Sequence, residues 1–197
     1  MTRTVAEPEN EFGSLAQTAA AIGLDPHEVP PVQRKWVNIS TGCYVSAVVW
    51  RTGQARLVLV PRPGDQARDL DRVALLLPVP LVVIDLPGSG GSSRPTAMPS
   101  KIACRAATAA WSFSPRARLI AGIGESVGTA LAVAERLPAM RTVALVDADS
   151  GTAPTAQLAM TTAVGQLTFE GDPETSGAPD LATALLDIVN LGIVNRT

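Results

Sequence analysis

The chain has 197 residues, of which 46% are hydrophobic and only 17% are charged. This apolar content excludes a chain that is disordered throughout, and the length favours one compact domain with a single core. Sixteen Lys and Arg residues against 18 Asp and Glu residues give a net charge of -2 without a basic stripe, so the sequence indicates no nucleic-acid partner.

The N-terminal segment lacks the pattern of an export signal. Residues 1–17 carry acidic and polar side chains where a signal peptide has a basic start followed by an apolar run. The longest apolar stretch, residues 73–84, contains two prolines and is shorter than the roughly 20 residues that cross a bilayer. The cysteines, Cys43 and Cys104, form neither a disulfide framework nor a zinc-binding CxxC pair. We therefore expect a cytoplasmic protein without a membrane span.

Residues 1–31 are expected to form an N-terminal extension. Ser14 predicts the N-cap of a short alanine-rich helix that ends near Ile22. Three prolines follow and favour an extended connection. The only histidine of the chain, His27, lies in this polar connection.

Residues 32–150 alternate between strand and helix patterns and are expected to form the core. Predicted strands lie at Trp36–Ser40, Val45–Trp50, Arg56–Val60, Leu81–Asp85, Arg118–Ala121 and Thr142–Asp147, and predicted helices at Asp69–Leu77, Ile102–Trp111 and Val127–Leu137. This alternation predicts an α/β fold with a mainly parallel sheet of about six strands and helices on both faces. Ligand sites in such sheets lie at the carboxyl ends of the strands.

Residues 151–197 interrupt the alternation. Thr155–Leu167 and Leu181–Leu191 have helical patterns, and several glycines and prolines separate them. No clear strand pattern follows Asp147. The sequence therefore predicts a helical C-terminal tail.

A GxSxG match lies between an apolar strand pattern and an alanine-rich helix pattern. It reads Gly124-Glu125-Ser126-Val127-Gly128. A serine on a sharp strand-to-helix turn adopts a strained backbone, and glycine two residues before and after it avoids a collision. The Val127 N–H at the helix N-terminus can then stabilise an oxyanion. The pattern predicts Ser126 at the nucleophile position; the alternative is a serine that caps a closely packed helix.

A second glycine-rich segment, Asp85-Leu-Pro-Gly-Ser-Gly-Gly-Ser92, precedes Ser126 by about 35 residues. Phosphate binding is an alternative for such a loop, but the segment matches neither GxGxxG nor a P-loop. Together with the strand order, the two motifs resemble the α/β-hydrolase family over about residues 36–150. The resemblance implies a serine hydrolase acting on ester or amide bonds, as in esterases, lipases, amidases, peptidases and cofactor-free haloperoxidases. It implies no cofactor.

The catalytic base expected from this resemblance is missing. A serine on this strand-to-helix turn, the nucleophile elbow, needs a neighbouring base, which is usually histidine. In the family that histidine follows the last strand. Here His27 precedes the first strand, so a loop role is the simpler interpretation. Asp147 lies at the end of the sixth predicted strand and could act as the acid, although a structural role suits it better without a base to orient.

A second departure concerns the oxyanion hole. The family has His-Gly-x after its third strand, and residue x donates a backbone N–H. This chain has Pro61-Arg62-Pro63 there, and proline has no N–H. Loss of this donor at Pro63 would cost on the order of 3 kcal/mol of transition-state stabilisation.

The third departure is length. The chain ends where a lid between the sixth and seventh family strands would be half built, so the resemblance implies a C-terminally truncated member with residues 151–197 as a partial lid. In such a protein the strand at residues 142–146 becomes an exposed edge. We expect either the tail or a second copy of the chain to cover it.

Three functional hypotheses follow from the sequence. The first is a truncated hydrolase with impaired catalysis, and the second is an active esterase that uses His27 as its base. The third is a non-catalytic module for dimerisation or for binding a partner or an apolar ligand. A small-molecule ester, amide or apolar compound is the expected ligand class. One histidine and scattered acids indicate no metal site.

Overall fold

A computed structural model of the chain describes residues 11–40, 42–94, 111–136, 142–146, 156–157, 159–160, 166–167, 179, 182–183 and 185–187. Except for its last residue, the helix predicted at 102–111 lies outside the described residues. Asp147 also lies outside them.

The described elements follow the predicted order up to residue 146. The helices are α1 (Leu15–Ala21), α2 (Asp71–Leu76) and α3 (Val127–Arg136). The strands are β1 (Val32–Ser40), β2 (Cys43–Trp50), β3 (Leu57–Val60), β4 (Leu81–Ile84), β5 (Leu119–Ile123), β6 (Thr142–Val146), β7 (Ala156–Gln157), β8 (Ala159–Met160) and β9 (Gln166–Leu167). Short 3₁₀ turns at Ala67–Leu70 and Gly124–Ser126 lead into α2 and α3.

The main sheet is mixed, with the strand order β1-β2-β4-β3-β5-β6-β8. The pairs β3–β4, β3–β5 and β5–β6 are parallel, whereas β1–β2, β2–β4 and β6–β8 are antiparallel. The predicted mainly parallel sheet of about six strands is therefore not confirmed. One physical reason is the two-residue connection between β1 and β2, which can join only antiparallel strands.

Helices cover both faces of the sheet, as predicted. Leu57 and Leu59 of β3 pack in one apolar cluster with residues of α1 and α2, whereas Val58 and Val60 pack in a second cluster with residues of α3. In the sheet, β4 lies on one side of β3, and β5 and β6 lie on the other side. The connection from β3 to β4 and the connection from β5 to β6 therefore run in opposite directions across the sheet. Right-handed crossovers in opposite directions place α2 and α3 on opposite faces.

The N-terminal extension contributes to the same core. Leu15 and Ala19 of α1 are both buried and belong to the cluster that contains Leu57. The helix follows Ser14, as predicted, but the Ser14 side chain makes no capping hydrogen bond. Burial of its apolar face, rather than a cap, accounts for the stability of this short helix.

The helical pattern predicted at residues 155–167 is wrong for the described part of that segment, which forms β7, β8 and β9. Pairing of β8 with β6, which matches Thr142 with Met160 and Val143 with Ala159, overrides the local helical preference. Farther along, residues 182–183 and 185–187 are helical, and Ala182 and Leu185 are buried in the first cluster. Segments of the predicted tail thus pack on the central core.

Strand β6 is covered at its start. The sequence predicts that either the tail or a second copy covers this strand, and β8, which belongs to the tail, pairs with Thr142 and Val143. In the described part of the chain, no helix combines the length and apolar character needed to span a membrane.

Candidate functional site

The fold places one candidate site at the carboxyl ends of β3 and β5. The chain runs from β3 to β4 on one side and later returns to β5 on the other side of β3, which makes this point a topological switch. Val60 pairs with Gly122, so the loop after β3 and the turn after β5 lie side by side. These two connections contain the predicted oxyanion segment and the GxSxG match.

The Ser126 side chain is committed to the protein backbone. The residue is 1% exposed, and its hydroxyl donates a hydrogen bond of 2.5 Å to the carbonyl oxygen of Pro61. A backbone carbonyl accepts a hydrogen bond but does not take up the proton as a base does. The hydroxyl is therefore buried against the end of β3 and donates its proton to a backbone carbonyl.

The strained backbone predicted at Ser126 is found two residues earlier. Gly124 has φ of 55°. Ser126 does not have a positive φ, because Arg51 is the one non-glycine residue in the described ranges that does. Ser126 instead completes a 3₁₀ turn that leads directly into α3. The left-handed conformation falls on Gly124 because glycine adopts it without a Cβ collision.

The close approach between strand and helix also differs from the prediction. A Cβ atom added to Gly128 would meet nothing within 4 Å, so Gly128 relieves no collision. A Cβ atom on Gly122 would lie 2.5 Å from the Ser126 carbonyl oxygen and 2.9 Å from the Cβ of Ala130. Gly122 of β5, which the sequence analysis did not single out, is the residue that lets α3 pack this closely.

The two residues named for the oxyanion hole, Val127 and Pro63, offer no free backbone N–H. The Val127 N–H donates to the carbonyl oxygen of Gly124 within the 3₁₀ turn, so it does not point to a ligand. Pro63 lies exposed in the turn after β3 and has no N–H to offer. Neither position supplies a donor for a developing negative charge.

His27 lies near the amino ends of the parallel strands, opposite to the end at which Ser126 lies. The Arg51 N–H donates to the Pro31 carbonyl at 2.7 Å, and Trp50 pairs with Leu81 at the start of β4, which places this loop at the amino ends of the parallel strands. His27 itself is exposed. A strand such as the five-residue β5 separates the two edges by roughly 15 Å. The structure therefore does not bring His27 to Ser126.

The glycine-rich segment after β4 surrounds a buried carboxylate, that of Asp85. Its Oδ1 accepts a hydrogen bond of 2.6 Å from the Ala67 N–H, and its Oδ2 accepts one of 2.9 Å from the Gly91 N–H. The Ser46 hydroxyl and the Arg34 guanidinium also donate to Oδ2. These internal donors satisfy the carboxylate, so the motif has a structural role and the alternative of phosphate binding gains no support.

Arg34 is a partner of Asp85 that no local pattern in the sequence indicates. It comes from β1, lies 51 positions from Asp85 in the chain and also pairs with Glu11. Burial lowers the pKa of Arg34, but the hydrogen bonds and charges of Glu11 and Asp85 outweigh burial and raise it above its ordinary value. A contact between such distant positions leaves no local signal in a single sequence.

In the described ranges of the chain, His, Cys, Asp and Glu residues form no group of three that could hold a metal ion. The free Cys43 thiol accepts a hydrogen bond of 3.4 Å from the Ser93 hydroxyl.

No protein-family model and no curated protein matches the chain. Among solved structures, the Mycobacterium tuberculosis esterase Rv0045c matches with a TM-score of 0.62 and 26% identity, over 72% of this chain and 48% of that chain. A second structure of that esterase matches with a TM-score of 0.58 and 25% identity, over 74% and 50%. A thioesterase domain from the curacin biosynthetic pathway matches with a TM-score of 0.52 and 19% identity, over 59% and 46%.

The resemblance found in the sequence is thereby confirmed, and this chain has the α/β-hydrolase fold. It is similar in structure to ester hydrolases. It spans about half the length of the esterase structures that it matches, 48% and 50%.

Proposed function

We propose that this chain is an α/β-hydrolase-fold protein of the ester-hydrolase type whose catalysis through Ser126 is impaired. The observation that carries the proposal is the hydrogen bond of 2.5 Å from the Ser126 hydroxyl to the Pro61 carbonyl oxygen. It holds a 1% exposed hydroxyl against an acceptor that cannot act as a general base.

The position of the only histidine supports the same conclusion. A serine becomes a nucleophile when an adjacent base removes its proton, and loss of one triad member costs roughly four to six powers of ten in rate. His27 lies near the amino ends of the parallel strands, whereas Ser126 follows the carboxyl end of β5. A proton cannot pass directly between groups at opposite edges.

The ligand class follows from the likeness to esterases. Small-molecule esters are the proposed ligand class, because two matched structures with at least 25% identity are those of an esterase. We therefore propose that esters or apolar compounds of similar size bind at the carboxyl edge without rapid turnover.

A fluorophosphonate probe and short p-nitrophenyl esters test the proposal directly. The intact chain and its Ser126→Ala variant are compared at equal concentration. We expect equal background labelling and equal ester hydrolysis for both proteins, because Ser126 is not activated. Rapid labelling of Ser126, or turnover that disappears in Ser126→Ala, would overturn the proposal.

His27→Ala provides the matched control for the histidine. This substitution removes an exposed side chain. We expect the same labelling and hydrolysis as in the intact chain. Ester hydrolysis that falls in both His27→Ala and Ser126→Ala would instead identify a working pair and contradict the proposed impairment.

A further inference from the structure

We infer that Gly124, not Ser126, occupies the nucleophile position of the fold, so that a glycine stands where the catalytic hydroxyl would be. This inference rests on the proposed function and deepens it, since it names the residue at which the nucleophile is lost. In this frame the relevant pentapeptide is Gly122-Ile123-Gly124-Glu125-Ser126. The GxSxG match in the sequence is then offset from the structural turn by two residues.

The backbone conformation after β5 supports this assignment. In this fold the nucleophile sits on the sharp, strained turn between strand and helix. The strained residue after β5 is Gly124, with φ of 55°, whereas Ser126 has no positive φ and already belongs to the turn leading into α3. The backbone therefore assigns the apex of the elbow to Gly124.

The packing on either side of the apex also favours Gly124. The residues two positions before and after the nucleophile must be small because strand and helix approach closely there. Around Gly124 these residues are Gly122 and Ser126, and a Cβ on Gly122 would lie 2.5 Å from the Ser126 carbonyl oxygen. Around Ser126 they would be Gly124 and Gly128, and Gly128 has no atom within 4 Å of an added Cβ. The crowding fits the Gly124 frame.

Arg62 lies beside the place where a nucleophile would project. A Cβ on Gly124 would lie 3.2 Å from Cγ and 3.6 Å from Cδ of Arg62, in the loop after β3. The apex is thus partly exposed, with the Arg62 side chain against one side of it. Ser126, in turn, is a positioning residue whose hydroxyl ties the start of α3 to the end of β3 through Pro61.

Alanine substitutions distinguish the two frames without any assay of activity. Gly124→Ala places a Cβ in a left-handed conformation, so we expect the Tm to fall by roughly 3–8 °C. Gly128→Ala is the matched control from the same motif, and we expect its Tm to be unchanged or slightly raised because its surroundings are open. The opposite pattern, with a large loss for Gly128→Ala and none for Gly124→Ala, would overturn the inference.

Cysteine labelling provides a second measurement that remains informative if one alanine variant folds poorly. In a background carrying Cys43→Ser and Cys104→Ser, Gly124→Cys and Ser126→Cys are treated with iodoacetamide. We expect the native Gly124→Cys thiol to react at least about tenfold faster, because the Ser126 position is 1% exposed, and both to react equally in urea. Faster native labelling of Ser126→Cys would overturn the assignment. Fluorophosphonate labelling of Ser126 tests the proposed function separately, since the alanine and cysteine comparisons do not depend on hydrolysis.

Discussion

Gly122 of β5 lies so close to the first turn of α3 that a Cβ atom there would be 2.5 Å from the carbonyl oxygen of Ser126. Real Cβ atoms do not approach a backbone oxygen this closely, so α3 can pack at this distance only because residue 122 has no side chain. The same contact fixes where α3 begins relative to the sheet.

Gly122→Ala is expected to lower the free energy of unfolding by about 2–3 kcal/mol, because the added methyl group must displace backbone atoms. Urea unfolding of the intact chain and the variant measures the loss. The control is Gly128→Ala, for which a change between zero and a gain of about 1 kcal/mol is expected. Equal stability of the two variants would show that the strand and the helix are not in this close contact.

Asp85→Asn is expected to lower the free energy of unfolding by about 3 kcal/mol or more, because it weakens the ion pair between the fully buried Asp85 carboxylate and the mostly buried Arg34 side chain. Glu11 is the outer partner of Arg34, and the Glu11 side chain is 37% exposed. Glu11→Gln should therefore lower the free energy of unfolding by less than about 1 kcal/mol. Chemical unfolding at neutral pH compares the two. A loss for Glu11→Gln as large as that for Asp85→Asn would contradict the structural role of Asp85.

The pH dependence of stability should contain a contribution from Asp71. Burial raises the pKa of Asp71 from 3.8 to about 6, and this effect outweighs the nearby Arg68, which lowers it; Asp69 and Glu11 raise it further. Between pH 3.8 and about 6 the folded chain therefore binds more protons at this site than the unfolded chain. By linkage, the free energy of unfolding falls as the pH rises through that window, by about 3 kcal/mol in total from this group.

Asp71→Asn is expected to remove this fall in the free energy of unfolding with rising pH. The variant should therefore lose less stability between pH 4.5 and pH 7.5 than the intact chain does. Within the described residues, the Oδ1 atom of Asp71 is buried and accepts no hydrogen bond, so an uncharged amide suits the site better at neutral pH. Urea unfolding at the two pH values measures the effect. Asp187→Asn, at an exposed position, is the control and should keep the slope of the intact chain. An unchanged slope in Asp71→Asn would rule out this assignment.

Leu185→Ala should lower the free energy of unfolding by about 2–5 kcal/mol, because its side chain is fully buried in the cluster that contains Leu57. Asp187→Ala, two positions away and exposed, should change it by less than about 0.5 kcal/mol. Thermal or urea unfolding provides the comparison. A small effect of Leu185→Ala would show that the C-terminal segment does not stabilise the core.

The sequence by itself determined the local features of this protein. Runs of aliphatic residues such as Leu57–Val60 and Leu81–Ile84 predict buried strands because every side chain in them is apolar. The glycine-rich segments after two strands supported the α/β-hydrolase resemblance that the solved structures confirm. The single histidine, His27, is a composition-level observation on which the proposed impairment of catalysis depends.

Only the tertiary structure decided the rest. Whether residues 159–160 form a helix or a strand depends on the partner that β6 provides, and the position of His27 depends on which end of the parallel strands its loop joins. The backbone conformation of Gly124 likewise depends on how closely α3 packs on β5. Each of these features arises from contacts between residues distant in the chain, and local patterning carries no record of such contacts.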